Sequence, residues 1–380
     1  MCASLVTPLG IKVEHAPISH VIRDTHVITP ESFGSIAIGW CSTCDHYLNT
    51  AAESTVAPES IAFLTNSAVS SGMRTRHKRL CEYINPIIGK QGSVLDVGAG
   101  SGGYTIAFAS AGHKVVAIEP NLSVPAMDGR VEVLHDSWPT SQLEGRLFDV
   151  ILCVQVLEHI VQPVEAVRQM LEHLTVGGLL YLEIPSGDWV LNHSAITDVH
   201  FPHRNYFTAS SIQRLIIDLN YEITHIRNLE DRDIGYVIQN RRRASETEPT
   251  SRAAFPRHQG LLEAAEVLQS RLTAFKGCTA LYGANANTQA LLGWYPDIAC
   301  DVILDDTPEY WGHYAYSLTK RIPVVKPSTQ NLKGLERIII ASYMHDREII
   351  LKIRELGFTG DVVSLRPPTA VVDGPPSLFS

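Results

Sequence analysis

The chain is poor in three features that would each point to a class of protein. It has 7 cysteines in 380 residues, too few and too scattered for a disulfide scaffold. No uninterrupted apolar run approaches the ~20 residues that a bilayer core demands. Residues 1–15 also lack the basic start, apolar centre and small-residue cleavage site of a secretory signal. Basic residues are scarce as well: 31 Lys and Arg against 40 Asp and Glu give a net charge of −9. The one basic cluster, Arg241, Arg242 and Arg243, adjoins an acidic, Ser/Thr-rich stretch and reads as a solvated linker. These absences exclude a nucleic-acid backbone or a membrane as the expected partner, and the expected setting is cytoplasmic. What remains is 45% hydrophobic residues, ample for two or three globular cores in a chain of this length.

The most informative stretch runs over residues 93–103, Ser-Val-Leu-Asp-Val-Gly-Ala-Gly-Ser-Gly-Gly. An apolar strand ends in Asp96 and is followed at once by Gly98, Gly100 and Gly102. Closely spaced glycines let a strand turn sharply into a helix and let a ligand approach bare backbone. Asp96 indicates which ligand. A carboxylate there repels a pyrophosphate lying across the loop but suits the amino group and sulfonium charge of S-adenosyl-L-methionine. About twenty residues on, a second apolar run ends in Glu119, placed to accept hydrogen bonds from a ribose diol. Asp96, Gly98, Gly100, Gly102 and Glu119 are therefore the expected cofactor-binding set.

Further apolar runs at residues 131–136, 148–154 and 179–184 alternate with helical patterns such as residues 163–174. That alternation predicts an α/β fold with a mostly parallel, Rossmann-like sheet covered on both faces. Ligands of such sheets bind beyond the carboxyl ends of the strands. Asp136 and Gln155 fall at such ends, Asp136 as a partner for the adenine amino group or as a helix cap, and Gln155 at the cofactor edge or the acceptor.

Four segments are expected. Residues 1–58 form an N-terminal segment, 59–240 the cofactor-binding domain with a helix over 61–90, 241–258 an exposed linker, and 259–380 a second, smaller α/β domain. In the N-terminal segment, Cys41 and Cys44 follow an alternating strand pattern as in a zinc knuckle. Cys2, His15, His20 or His46 would have to complete a structural zinc site; two buried thiols are the alternative. In the C-terminal domain, Gly283 opens a small-residue turn between a strand and a helix. Its amides could hold a phosphate, or the turn is purely structural.

With these segments in view the chain resembles the sugar C-methyltransferases that act on nucleotide-linked deoxysugars. Those enzymes join an N-terminal zinc-knuckle segment, a methyl-donor domain and a C-terminal α/β domain. The resemblance is carried by Cys41 and Cys44, the loop from Asp96 to Gly103, residues 156–159 (Val-Leu-Glu-His), residues 203–208 (His-Arg-Asn-Tyr-Phe-Thr), the Gly283 turn and residues 304–308 (Leu-Asp-Asp-Thr-Pro). It implies a methyltransferase acting on a nucleotide-linked sugar, with Asn205, Tyr206 and Gly283 on the substrate side. A family Glu-His pair supplies the base; here His203 stands at the histidine and Pro202 at the glutamate, with Asp198 or His200 left to replace the carboxylate. The family's tyrosine-rich segment is replaced by residues 61–66, Ile-Ala-Phe-Leu-Thr-Asn.

Methyl transfer is an in-line displacement, and a base is needed only when the acceptor must lose a proton. A histidine suits a sugar hydroxyl or a ketosugar carbon, so His203 is the expected base and His200 the second choice. The same region offers a different chemistry, a divalent ion held by His193, His200, His203 and Asp198. Two other functions fit the pattern: O- or N-methylation of another small natural product, and a non-catalytic protein that binds the cofactor or a nucleotide sugar.

Overall fold

A computed structural model describes residues 5–19, 21–23, 27–51, 71–89, 91–120, 124, 127–229, 232–241 and 256–367. The predicted helix over 61–90 and residues 61–66 fall wholly or partly outside these residues, as do Cys2, His20 and most of the 241–258 stretch.

Three sheets organise the chain. The N-terminal sheet is antiparallel, in the order β1 (Thr7–Pro17), β2 (Phe33–Cys41), β3 (His46–Asn49) and β9 (Asn205–Tyr206). The central sheet has seven strands in the order β10 (Ile223–Leu229), β11 (Asp233–Gln239), β8 (Leu174–Pro185), β7 (Phe148–Val154), β4 (Ser93–Val97), β5 (Lys114–Ile118) and β6 (Val131–Leu134). All neighbouring pairs from β8 to β6 are parallel; β11 is antiparallel to both β8 and β10. The C-terminal sheet runs β14 (Tyr314–Tyr316), β15 (Arg321–Val325), β13 (Val302–Leu304), β12 (Thr279–Tyr282), β16 (Arg337–Ile340) and β17 (Asp361–Ser364), parallel except for β14. The expected Rossmann-like sheet and the second α/β sheet are both present.

The central strands read as continuous apolar runs because both faces are covered. Successive side chains in a strand point to opposite faces. Val94 accordingly packs with Leu80 and Ile84 of α1 (Ser71–Ile88) and Phe108 of α2 (Gly103–Ser110). Leu95 and Val97 pack on the other face with Met170 of α3 (Pro163–Glu172) and Leu215 of α5 (Ala209–Asp218). The turn from β4 into α2 passes through Gly98, Gly100 and Gly102 at φ +65°, +54° and +76°, a region L side chains rarely adopt.

The N-terminal sheet and the C-terminal domain share one apolar core. Leu9, Ile11, Ile36 and Trp40 pack in the same cluster as Leu281, Leu291, Ile303 and Ile339. Between them runs the segment that leaves α4 (Gly187–Asn192) and leads to β9, and α7 (Ala286–Trp294) lies against it. Among the described residues, no helix is long and apolar enough to cross a membrane.

Candidate active site

One cavity of about 950 Å³ opens beyond the carboxyl ends of the central strands. Sheet topology brings residues distant in sequence to its wall: Gly98 and Gly100 after β4, Glu119 after β5, Asp136 after β6 and Gln155 after β7. The Gly100 N–H donates to Glu119 Oε2 at 3.2 Å, which fixes the acid beside the glycine turn. A Cβ on Gly100 would meet no atom within 4 Å, so its face of the loop is open cavity space. Gly98 and Gly103 are packed differently. A Cβ on Gly98 would lie 2.5 Å from Val156 Cγ2, and one on Gly103 would lie 2.0 Å from His77 Cε1. An open glycine turn beside an acidic strand end leaves room for a ligand to approach bare backbone and to donate hydrogen bonds to the acid.

Asp136 accepts from the Ser137 N–H at 2.8 Å, the Thr140 hydroxyl at 2.5 Å and Gln142 Nε2 at 3.0 Å. The Thr140 hydroxyl holds the carboxyl below its ordinary range, with the other two donors adding to the effect. Asp136 both ties down this turn and lines the cavity. Gln155 sits at φ +56°, and its buried Nε2 has no hydrogen-bond partner, an amide donor at the cavity wall.

Asp96 departs from expectation. It is buried and does not line the cavity; its carboxylate accepts the Thr105 hydroxyl at 2.6 Å. Alternation along β4 turns it to the face of Val94, toward α2, so it fixes the helix behind the glycine turn. Burial pushes its carboxyl up to about 6. A carboxyl raised in the folded state contributes stability that is present below the unfolded value and lost as pH rises through the folded one. Asp96→Asn keeps an acceptor for Thr105 and removes that titration. Its gain in stability over the parent is therefore expected to grow between pH 4 and 7 to about 3 kcal/mol. Thermal melts of both proteins at pH 4.5 and 7.5 check this; an equal offset at both pH values would refute it.

At the far end of the cavity lie Glu158, His159, His200, His203 and Tyr206. Glu158 and His159 come from the turn Leu157–His159 that follows β7, His200 and His203 from the loop entering β9, and Tyr206 from β9 itself. The ring of His203 lies 4.1 Å from that of His200, 5.0 Å from that of His159 and 6.0 Å from that of Tyr206, centroid to centroid. His200 Nδ1 lies 3.2 Å from the Phe201 carbonyl; donation there leaves Nε2 as the proton-accepting nitrogen. Burial pulls His159 and His200 down to about 4 and pushes Glu158 up to about 8. Ion pairs border this end: Arg76 bridges Glu183 at 2.5 Å and Asp233 at 2.9 Å, and Arg232 meets Asp198 at 2.5 Å.

A carboxylate does stand beside His203, but Glu158 supplies it rather than a residue at position 202. In the sequence Glu158 and His159 stand out only as part of the Val-Leu-Glu-His segment of residues 156–159. Their place at the end of a parallel strand, like that of Asp136, was the signal that could have singled them out. Asn205 lines the cavity, yet its side chain is engaged with His46 Nε2 at 3.1 Å and the Ile160 carbonyl at 2.7 Å. It therefore braces the loop rather than addressing an acceptor. The set His193, His200, His203 and Asp198 is not brought together. His193 stacks on Trp189, and Asp198 is held by Arg232 and by the Tyr343 hydroxyl at 2.8 Å.

Two other expectations find no support among the described residues. Cys41 and Cys44 are buried around the β2–β3 turn, where Trp40 Nε1 donates to Asp45 at 3.1 Å. Among the described residues, the group of three or more ligand-bearing side chains close enough for one ion is Glu158, His159 and His203, and it includes neither cysteine. A zinc knuckle is therefore not supported. Among the described residues of the C-terminal domain, Ala286 lines the cavity and Gly283 does not. The Gly283 turn is already filled: the Ala284 N–H donates to Asp305 at 2.6 Å, and Gly283 N–H to the Leu304 carbonyl at 2.8 Å. A carboxylate occupies the place a phosphate would take. Glycine is needed there because a Cβ would lie 2.1 Å from Ser342 Oγ.

Residues 71–226 match the family described as methyltransferase domain. A mitochondrial ubiquinone biosynthesis O-methyltransferase of Schizosaccharomyces pombe is 32% identical over 100 residues, 23% of this chain and 36% of that protein. A ubiquinone biosynthesis O-methyltransferase of Rickettsia typhi is 21% identical over 155 residues, 36% of this chain and 62% of that protein. The chain thus spans between about a third and under two thirds of the length of these curated relatives. Among solved structures, a Burkholderia thailandensis 1,6-didemethyltoxoflavin-N1-methyltransferase with bound S-adenosylhomocysteine is 18% identical. The alignment covers 51% of this chain and 95% of that one, with a TM-score of 0.36. The similarity to methyltransferases thus lies in the central domain, over residues 71–226.

Proposed function

We propose that the chain is an S-adenosyl-L-methionine-dependent methyltransferase that acts on a hydroxyl of a small polar acceptor. The observation that carries this reading is one continuous cavity with two chemically distinct ends. At one end lie an open glycine turn and the acids Glu119 and Asp136; at the other lies a cluster of histidines with a buried carboxylate. Its volume of about 950 Å³ suits a cofactor and a small acceptor together.

When bound, the cofactor supplies an electrophilic methyl group on a sulfonium. The protein's part is alignment, worth roughly 7–11 kcal/mol in favourable cases. The Gly98–Gly100 backbone leaves room for the ligand, Glu119 accepts from ribose hydroxyls, and Asp136 offers its carboxylate to the adenine amino group. Gln155 donates its amide at the junction of the two ends. The acceptor's proton goes to the imidazole pair His200 and His203, which such positioned bases make worth about 10²–10⁴-fold. Burial keeps His200 neutral at neutral pH, with Nε2 as the accepting atom. The similarity to O-methyltransferases favours oxygen as the acceptor atom.

A nucleotide-linked sugar is one hydroxylated acceptor of this class, supported by the fused α/β domain whose Ala286 borders the cavity. The test is calorimetry with S-adenosylhomocysteine, followed by transfer of labelled methyl to simple phenols, catechols and nucleotide sugars. Micromolar binding of the product together with transfer to one class supports the proposal. Replacing His200 and His203 together by alanine is expected to cut transfer at least 100-fold while product affinity stays within about threefold. Binding without transfer to any acceptor would favour a non-catalytic binding protein, and absence of binding would remove the methyltransferase reading.

A further inference from the structure

Glu158, His159 and His203 offer one carboxylate oxygen and two imidazole nitrogens that all lie within 4.8 Å of one another. The three side chains belong to two different segments, and all three line the acceptor end of the cavity. Glu158 is 1% exposed, and its Oε2 is a buried oxygen with no hydrogen-bond partner. Leaving such an oxygen unmatched costs on the order of 1–3 kcal/mol or more. Two guanidinium groups of the cavity wall are engaged elsewhere: Arg76 with Glu183 and Asp233, and Arg232 with Asp198.

Two imidazoles and one carboxylate are a donor set of borderline divalent cations, and three protein ligands leave coordination positions open. Ligand atoms about 2.1 Å from a common ion stand about 3–4 Å apart. Glu158 Oε1 and His159 Nε2 are already 3.9 Å apart, so small side-chain rotations close the set. We infer that Glu158, His159 and His203 form a binding site for a divalent transition-metal cation, with its open positions facing the acceptor's oxygen. This use of the cation rests on the reading of the cavity as a methyl-transfer site, whereas its binding does not. With His203 as a ligand, His200 remains as the imidazole that receives the acceptor's proton. The site is separate from Cys41 and Cys44 and needs neither thiol.

The test is a titration of the full chain, stripped with chelator, with Co²⁺ as a spectroscopic probe. One equivalent is expected to give visible ligand-field bands without the intense near-ultraviolet absorption of a cobalt–thiolate bond. Glu158→Gln and His203→Ala are each expected to weaken Co²⁺ binding at least tenfold, while Cys41→Ser leaves it unchanged. Affinity for S-adenosylhomocysteine is measured on the same samples and is expected to persist in every variant, which also reports that each is folded. Product binding without a cobalt spectrum, a thiolate spectrum, or Co²⁺ affinity indifferent to Glu158 and His203 would each overturn the site. Cobalt bound through these residues by a protein that does not bind the product would keep the site and remove the methyl-transfer reading.

Discussion

Gln289→Leu is expected to reduce methyl transfer at least 100-fold while affinity for S-adenosylhomocysteine stays within about threefold, although Gln289 belongs to the C-terminal domain. Its buried amide donates to the carbonyls of Pro17 and Phe201, the latter at 3.0 Å. It does not act alone. Trp294 Nε1 donates to the Val199 carbonyl at 3.0 Å, and Asn287 Nδ2 to the Thr197 hydroxyl at 3.2 Å. The Tyr343 hydroxyl donates to Asp198 at 2.8 Å. Every one of these bonds, apart from that to Pro17, ends on residues 197–201, the run of chain that carries His200 and leads to His203. Leucine fills a similar volume but removes the Gln289 donor from the Pro17 carbonyl and one of two donors from the Phe201 carbonyl, at about 1–3 kcal/mol in all.

The melting temperature should therefore fall by several degrees, and the larger effect should be on turnover, because a displacement of about 1 Å at a reacting group can cost 10²-fold. Rates per folded molecule, measured beside product calorimetry and thermal melts, separate the two. A lower melting temperature with unchanged turnover would mean that the C-terminal domain only stabilises the chain. On this account that domain serves the site as a brace for the histidine loop, in keeping with a Gly283 turn whose amides are already taken by the Leu304 carbonyl and the Asp305 carboxylate.

The parts legible in the sequence are those that local periodicity and parallel-sheet topology determine together. Glu119, Asp136 and Gln155 were identifiable because each ends an apolar run, and in a parallel sheet such ends converge on one crevice. Asp96 ends a run too, but which face a strand residue takes depends on the alternation of its neighbours; Val94 and Asp96 share the face covered by α1 and α2. His193 and His203 looked alike in a stretch rich in histidine. Only packing separates them: His193 stacks on Trp189 with ring centroids 4.8 Å apart, and its Nδ1 meets the Trp189 carbonyl at 2.9 Å. The pairing of β3 with β9, Tyr47 opposite Tyr206, joins segments more than 150 residues apart. No local pattern encodes that pairing, and it is what seats the histidine loop against the N-terminal sheet.

Alanine substitutions at Gly98 and Gly100 are expected to separate folding from cofactor binding, though both glycines lie in one turn. Each has positive φ, so a Cβ at either costs about 1–2 kcal/mol of backbone strain. At Gly98 the Cβ also meets Val156 at 2.5 Å and 3.1 Å from its two methyl carbons. Valine is stiff about χ1, so either the turn after β7 or the glycine turn must move. Gly98→Ala should destabilise the protein by about 2–4 kcal/mol and lower product affinity through that movement. At Gly100 nothing lies within 4 Å, so only the strain term applies to folding and the melting temperature should fall by a few degrees at most. The added methyl projects into the space assigned to the cofactor beside Glu119, and product affinity should fall at least tenfold. Calorimetry and melts on the two variants decide the matter. If Gly100→Ala bound the product as tightly as the parent, the cofactor would not lie across this glycine, and the assignment of Glu119 to its ribose would fall with it.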